Sequence, residues 1–242
     1  MKKPVIVLLL YLASLWLATA CGSGDSGYTC KLCTSEPEAL PADDGRASGI
    51  YKGIIAGTTA DSKETLTGTL KAVVATDMST ATCELVINES LLTADAIGIE
   101  QSGGKVDYTF SSDEFELSLA VSDAGEILES DLVYGDAYVE TSVGKEESDA
   151  LLKCFEGTWR SEDDSWYGVW NFIYKADRLE GNAVDDEGFV SIDFEGDVNG
   201  KLAAIRSGSD PELAQGRFDG EAITGTWDTS GLTGTWEGRR TL

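Results

Sequence analysis

The side chains able to do chemistry in this sequence are of few kinds. There is no histidine among the 242 residues, so imidazole triads, imidazole metal sites and histidine pH switches are excluded together. No Gly-x-Ser-x-Gly elbow, phosphate-binding loop or HExxH helix occurs. Carboxylates are plentiful, 43 against 18 lysines and arginines. At that density the carboxylate pairs that glycoside hydrolysis uses arise everywhere by chance, so no catalytic residue is assigned and no enzymatic activity is expected. Glu162-Asp163-Asp164 and Asp185-Asp186-Glu187 bunch hard oxygen ligands of the kind calcium takes, but neither has EF-hand spacing. Solvated turns are their expected role, a calcium partner is the lesser alternative, and neither metal nor cofactor is assigned. The formal net charge of −25 lacks the basic footprint that phosphate backbones require, so nucleic acid is not an expected partner.

The cysteines offer redox or cross-linking chemistry. Cys30-Lys31-Leu32-Cys33 has the spacing of a redox pair, but it lies in a polar stretch rather than at a helix start behind a strand. A plain disulfide is the expected role. Four cysteines follow Cys21, a number that allows three pairings. The expected bridges are Cys30 with Cys33 and Cys83 with Cys154. Cys154 sits one residue out of phase with Phe155 and Trp159, which counts against the second.

The tryptophans are the remaining candidates. The run from Ile223 to Gly238 reads ITGTWDTSGLTGTWEG and holds Thr-Gly-Thr-Trp twice, nine residues apart. In a strand, alternate side chains share a face, so Ile223, Gly225 and Trp227 point one way and Thr224 and Thr226 the other. The same template of apolar residue, glycine and apolar residue at alternate positions recurs at Phe155-Gly157-Trp159, Trp166-Gly168-Trp170, Phe194-Gly196-Val198 and, in the first half, Leu66-Gly68-Leu70. Glycine weakens a strand; on the apolar face it permits tight coiling and leaves room for a large neighbour. Tryptophan in phase with an apolar stripe is core first. In an open barrel the inner face also lines a pocket, and Trp159, Trp170, Trp227 and Trp236 are the candidates to line it.

Elements that hold such rows are short antiparallel strands. Seven are expected between residues 49 and 142, with none between 88 and 105, and eight between 155 and 238. Tight turns such as Asn199-Gly200 and Gly103-Gly104 join them. The fold class is therefore all-β: an antiparallel up-and-down meander forming one or two barrel or sandwich modules. Glu146 to Lys153 (EESDALLK) has helical composition and can supply at most a short linking helix. A module at 48–145 without tryptophan and a tryptophan-rich module at 152–242 are favoured over one continuous barrel.

The first twenty residues read as a signal peptide: Lys2 and Lys3, then an apolar run from Val5 to Leu17 that is too short for a permanent membrane helix. Leu17-Ala18-Thr19-Ala20 before Cys21 resembles the lipobox of bacterial lipoproteins, and that resemblance implies lipidation of Cys21 and anchoring to a membrane through the lipid. Glycine at position 22 leans towards the outer membrane. Residues 21–47, rich in Gly, Ser, Asp, Glu and Pro, are expected to be a flexible tether. In the folded part, Gly157-Thr158-Trp159 and Leu232-Thr233-Gly234-Thr235 resemble strands of lipocalin- and avidin-type barrels, which implies an eight-stranded barrel with a small apolar ligand at its mouth. Three functions are therefore ranked in order: a membrane-anchored extracytoplasmic lipoprotein with a structural or protein-interaction role, a barrel that binds a small apolar ligand, and last a hydrolytic enzyme.

Overall fold

The computed structural model describes residues 30, 32–59, 64–186, 191–207, 214–229 and 231–242. The expected signal peptide and Cys21 lie outside the described residues. Eight strands make the first half: β1 (Gly49–Thr58), β2 (Thr65–Val74), β3 (Ala81–Ile87), β4 (Ser90–Ser102), β5 (Lys105–Ser111), β6 (Phe115–Ser122), β7 (Ile127–Tyr134) and β8 (Ala137–Lys145). Eight more make the second: β9 (Lys153–Ser161), β10 (Tyr167–Lys175), β11 (Arg178–Asp185), β12 (Ser191–Asn199), β13 (Leu202–Arg206), β14 (Ala214–Asp219), β15 (Ala222–Thr229) and β16 (Leu232–Arg240). Each set pairs antiparallel in chain order and closes on itself, β1 on β8 and β9 on β16, so the chain is two eight-stranded barrels. Closure leaves neither sheet an open edge.

Strand β4 is the one the sequence hid. Its alternation is broken by the adjacent Leu91 and Leu92, and its pairing with β5 shifts register between Ala96 and Gly98. That bulge turns Ile97 out to 71% exposure.

The first barrel is filled. Tyr51, Ile55, Leu70, Leu85, Tyr108, Phe110, Leu117 and Leu132 meet inside it, each at most 1% exposed. Strand β1 is buried on both faces. Its inner residues Tyr51 and Ile55 join this core, while Ile54 on its outer face packs with Leu152, Cys154, Ile173 and Leu242 in a small apolar cluster between the barrels. Polar contacts flank that cluster: Asn171 of β10 donates its amide to the carbonyl of Ile55 and, at 2.8 Å, to the hydroxyl of Thr67.

Three expectations need correction here. The second half of the presumed tether is ordered against the barrels. Ala39, Asp43 and Ala47 are buried, and the Ala47 carbonyl accepts hydrogen bonds from the hydroxyls of Tyr51 at 2.6 Å and Tyr108 at 3.0 Å. Lys145 donates to the carbonyls of Asp43 and Arg46. The strap is polar in composition because its anchors are ionic and backbone bonds, which hydrophobic periodicity does not register. Second, among the described residues there is no helix. Residues 146–152 form a turn with a Glu147–Ala150 bridge, and Lys153 already begins β9. Glu146 is drawn inward instead: its carboxylate accepts from Lys52 at 2.6 Å, from the Leu152 amide at 3.1 Å and from the Glu38 amide at 2.7 Å.

Third, Cys83 and Cys154 are both free and buried. Cys83 faces the interior of the first barrel, whereas Cys154, out of phase as its neighbours indicated, faces the cluster between the barrels. Burial pushes the Cys83 thiol up to about 12, and burial pushes Cys154 up as well. Cys30 and Cys33 form a disulfide.

The Lys52–Glu146 pair is almost completely out of solvent, with side chains 1% and 0% exposed. Glu38 lies 3.3 Å from Lys52 and 2.9 Å from Lys71. Burial opposes its charge, but the two lysines outweigh that and hold its carboxyl below the ordinary range. Removing one member of a buried pair strands the other charge. Lys52→Met is therefore expected to cost about 3–5 kcal/mol in guanidinium unfolding; a loss under about 1 kcal/mol would show that the pair does not hold the strap. Cys83 and Cys154 are expected to stay unmodified by a maleimide in the native protein and to react in guanidinium, as read by peptide mass spectrometry.

Candidate functional site

The recurrent glycines of the second barrel have a direct steric cause. Trp236 of β16 lies along the inner wall over β15 and β14. A Cβ on Gly225 would come within 2.4 Å of its ring, and one on Gly216 within 2.2 Å. A Cβ on Gly234 would meet Trp227 at 2.4 Å. Trp159 lies over Gly168 and Trp170 over Gly157 and Gly238 in the same way. Each indole therefore rests on bare backbone in a neighbouring strand. From there its N–H reaches a strand carbonyl: Trp159 to Val169 at 3.2 Å, Trp170 to Thr158 at 2.9 Å, Trp236 to Thr226 at 3.1 Å. The Trp227 N–H is the exception and has no partner among the described residues.

One end of this barrel is packed solid. Phe155 stacks on Phe172 at 4.7 Å, Trp170 stacks on the same ring at 4.9 Å, and Phe218 meets Phe155 edge-on at 5.4 Å. The other end is not. There a cavity of about 80 Å³ is walled by Trp159, Trp166, Trp170, Trp227 and Trp236, with Phe194, Ile205 and Ala214 completing the apolar lining. Trp159, Trp166, Ala183 and Thr229 at its rim are only half-buried, so the cavity is a cup open to solvent. Trp159, Trp166 and Trp227 stand nearly perpendicular to one another, with ring centres 4.7–5.9 Å apart.

Carboxylates surround the mouth: Glu162, Asp163 and Asp164 between β9 and β10, Asp185 and Asp186 at the end of β11, and Asp228 near the end of β15. Asp163 accepts the hydroxyls of Ser165 and Ser161 and the Ser165 amide, which push its carboxyl down to about 2. Among the described residues no three carboxylates or thiols converge on a metal position, and Glu187 of the second acidic run lies outside them.

The four tryptophans singled out in the sequence thus share one cavity. The structure adds Trp166, which stood in the same template two residues before Gly168, and the aliphatic walls from β13 and β14, for which the sequence held no signal beyond burial. The Cys30–Cys33 disulfide belongs to the strap and takes no part in the cup.

No protein-family model matches the chain, and the comparison with curated proteins found no match. A solved structure described as "Crystal Structure of Surface Lipoprotein" aligns with 79% of this chain and 98% of its own, at 10% identity and a TM-score of 0.27. A likeness that loose adds nothing to the architecture described above.

The packing predicts which substitutions the cup tolerates. Gly225→Ala would bring a Cβ to 2.0 Å from the Gln215 carbonyl as well as against the Trp236 ring; it is expected to cost about 1–3 kcal/mol, with a change in tryptophan emission. Thr224→Ala, exposed on the outer face of the same strand, is expected to stay within about 0.5 kcal/mol. Equal unfolding midpoints for the two variants would contradict the close approach.

Proposed function

We propose that this chain is a non-catalytic, lipid-anchored protein of a bacterial envelope, on the outer membrane side, whose second barrel captures a small apolar group in its tryptophan cup. The observation that carries the ligand reading is the contrast between the two barrels. They share strand number and topology, yet one is filled by its own side chains and the other keeps an open apolar cavity walled by five tryptophans. Large aromatic surface left facing an open cavity is costly in water and is recovered when a guest covers it. The anchoring half of the reading is supported by the sequence before Cys21. The filled first barrel, tied to the strap, then acts as support.

Native mass spectrometry of the processed protein, released from its own host in mild detergent, tests this. A reproducible extra mass that is lost on denaturation is the expected result. A bare mass, together with tryptophan emission unchanged by added toluene or other small guests, would overturn the ligand reading and leave a module that acts through its outer surface on a protein partner.

A further inference from the structure

The chemistry of the cup narrows its guest. The indole N–H groups of Trp159, Trp170 and Trp236 are spent on strand carbonyls, and that of Trp227, though unpartnered, is buried away from solvent, so ring carbon is nearly all that the cavity presents. A guest that depends on hydrogen bonds loses them on entry. Shape narrows it again. A flat aromatic guest needs two parallel walls, whereas the mutually perpendicular Trp159, Trp166 and Trp227, at interplanar angles of 78°, 86° and 89°, suit a rounded group approached from several sides.

Charge decides the sign. Six carboxylates stand at the mouth end. Among the described residues two arginines stand on that half of the barrel, Arg160, 3.8 Å from Asp164 and offsetting its charge, and Arg206, 2.9 Å from Asp197, so the mouth stays net negative. An anionic guest such as a fatty-acid carboxylate is repelled there and a cation is drawn in. Tryptophan faces are also the strongest aromatic partners of a cation, and more so when it is desolvated.

Resting on the reading of the cup as a ligand site, we infer that its guest is a quaternary ammonium group: rounded, sheathed in methyls, positively charged and without hydrogen-bond donors. The cavity of about 80 Å³ takes the head group, and whatever carries that group leaves through the open mouth.

The test is a tryptophan-fluorescence titration of the full-length protein in a maltoside detergent. Choline and tetramethylammonium are compared with 3,3-dimethyl-1-butanol, the neutral isostere of choline. Choline is expected to bind at least about tenfold more tightly than the isostere and to weaken as salt rises from about 20 to about 500 mM. Asp186→Asn combined with Asp228→Asn, both near the surface, is expected to weaken choline about two- to fivefold and leave the isostere unchanged. If the isostere binds as tightly as choline, the cation inference falls and the apolar cup stands. If no probe, charged or neutral, shifts the emission, both readings fall.

Discussion

An indole can lie against a β-strand only where the strand carries no side chain. In the second barrel that constraint governs almost everything. Trp159, Trp170, Trp227 and Trp236 each have a glycine beside them, and each such glycine takes a side chain out of the barrel's interior. A ring laid along the wall also occupies less of the middle than one pointing inwards. At the end where phenylalanines fill the middle the barrel is solid. At the end where tryptophans lie against the wall a cup remains. The cost of so many glycines in strands is conformational entropy, and it is offset by indole burial and by N–H bonds to the wall.

The first barrel is organised around a different constraint. Lys52 leaves the outer face of β1 at a place where strap, turn and barrel meet, and it is neutralised by Glu146 with Glu38 close by. A buried charge of this kind fixes geometry because every alternative arrangement leaves it unpaired. Three separated pieces of sequence are thereby locked into one register: the strap, β1 and the turn after β8. The apolar cluster around Ile54 does the equivalent for the second barrel, since it needs β1, β10 and the chain's last residue at once.

What was readable in the sequence follows from these two constraints. Alternation of glycine with large apolar residues is a local pattern, so the strands, the meander and the tryptophan set could be read from it. The strap could not. Its anchors are Glu38, Asp43 and the Ala47 carbonyl, whose partners lie far away in the chain, and a polar segment held by distant partners has the composition of a loose one. Glu146 misled for the same reason: helical propensity at EESDALLK is real, but a buried lysine opposite outweighs a few tenths of a kcal/mol per residue. Strand β4 was hidden by its bulge. Counting cysteines pairs Cys83 with Cys154, whereas the phase of Cys154 sets it on the outside of its barrel. Whether a tryptophan stripe fills a core or lines a cup depends on how many rings lie flat, which alternation does not encode.

The strap begins beside the very end of the chain: Arg240, buried at the closed end of the second barrel, donates to the carbonyl of Thr34 at 2.7 Å and lies 3.3 Å from Glu221. From there the strap crosses to the first barrel and seals it at Ala47. A pull arriving through the N-terminal segment therefore meets Arg240 first and the lysine–glutamate ladder next. Both lie away from the mouth of the cup, because β16 runs from the mouth at Leu232 to the closed end at Arg240. Load applied through the N-terminal segment would therefore be borne at the end of the second barrel opposite the mouth of the cup.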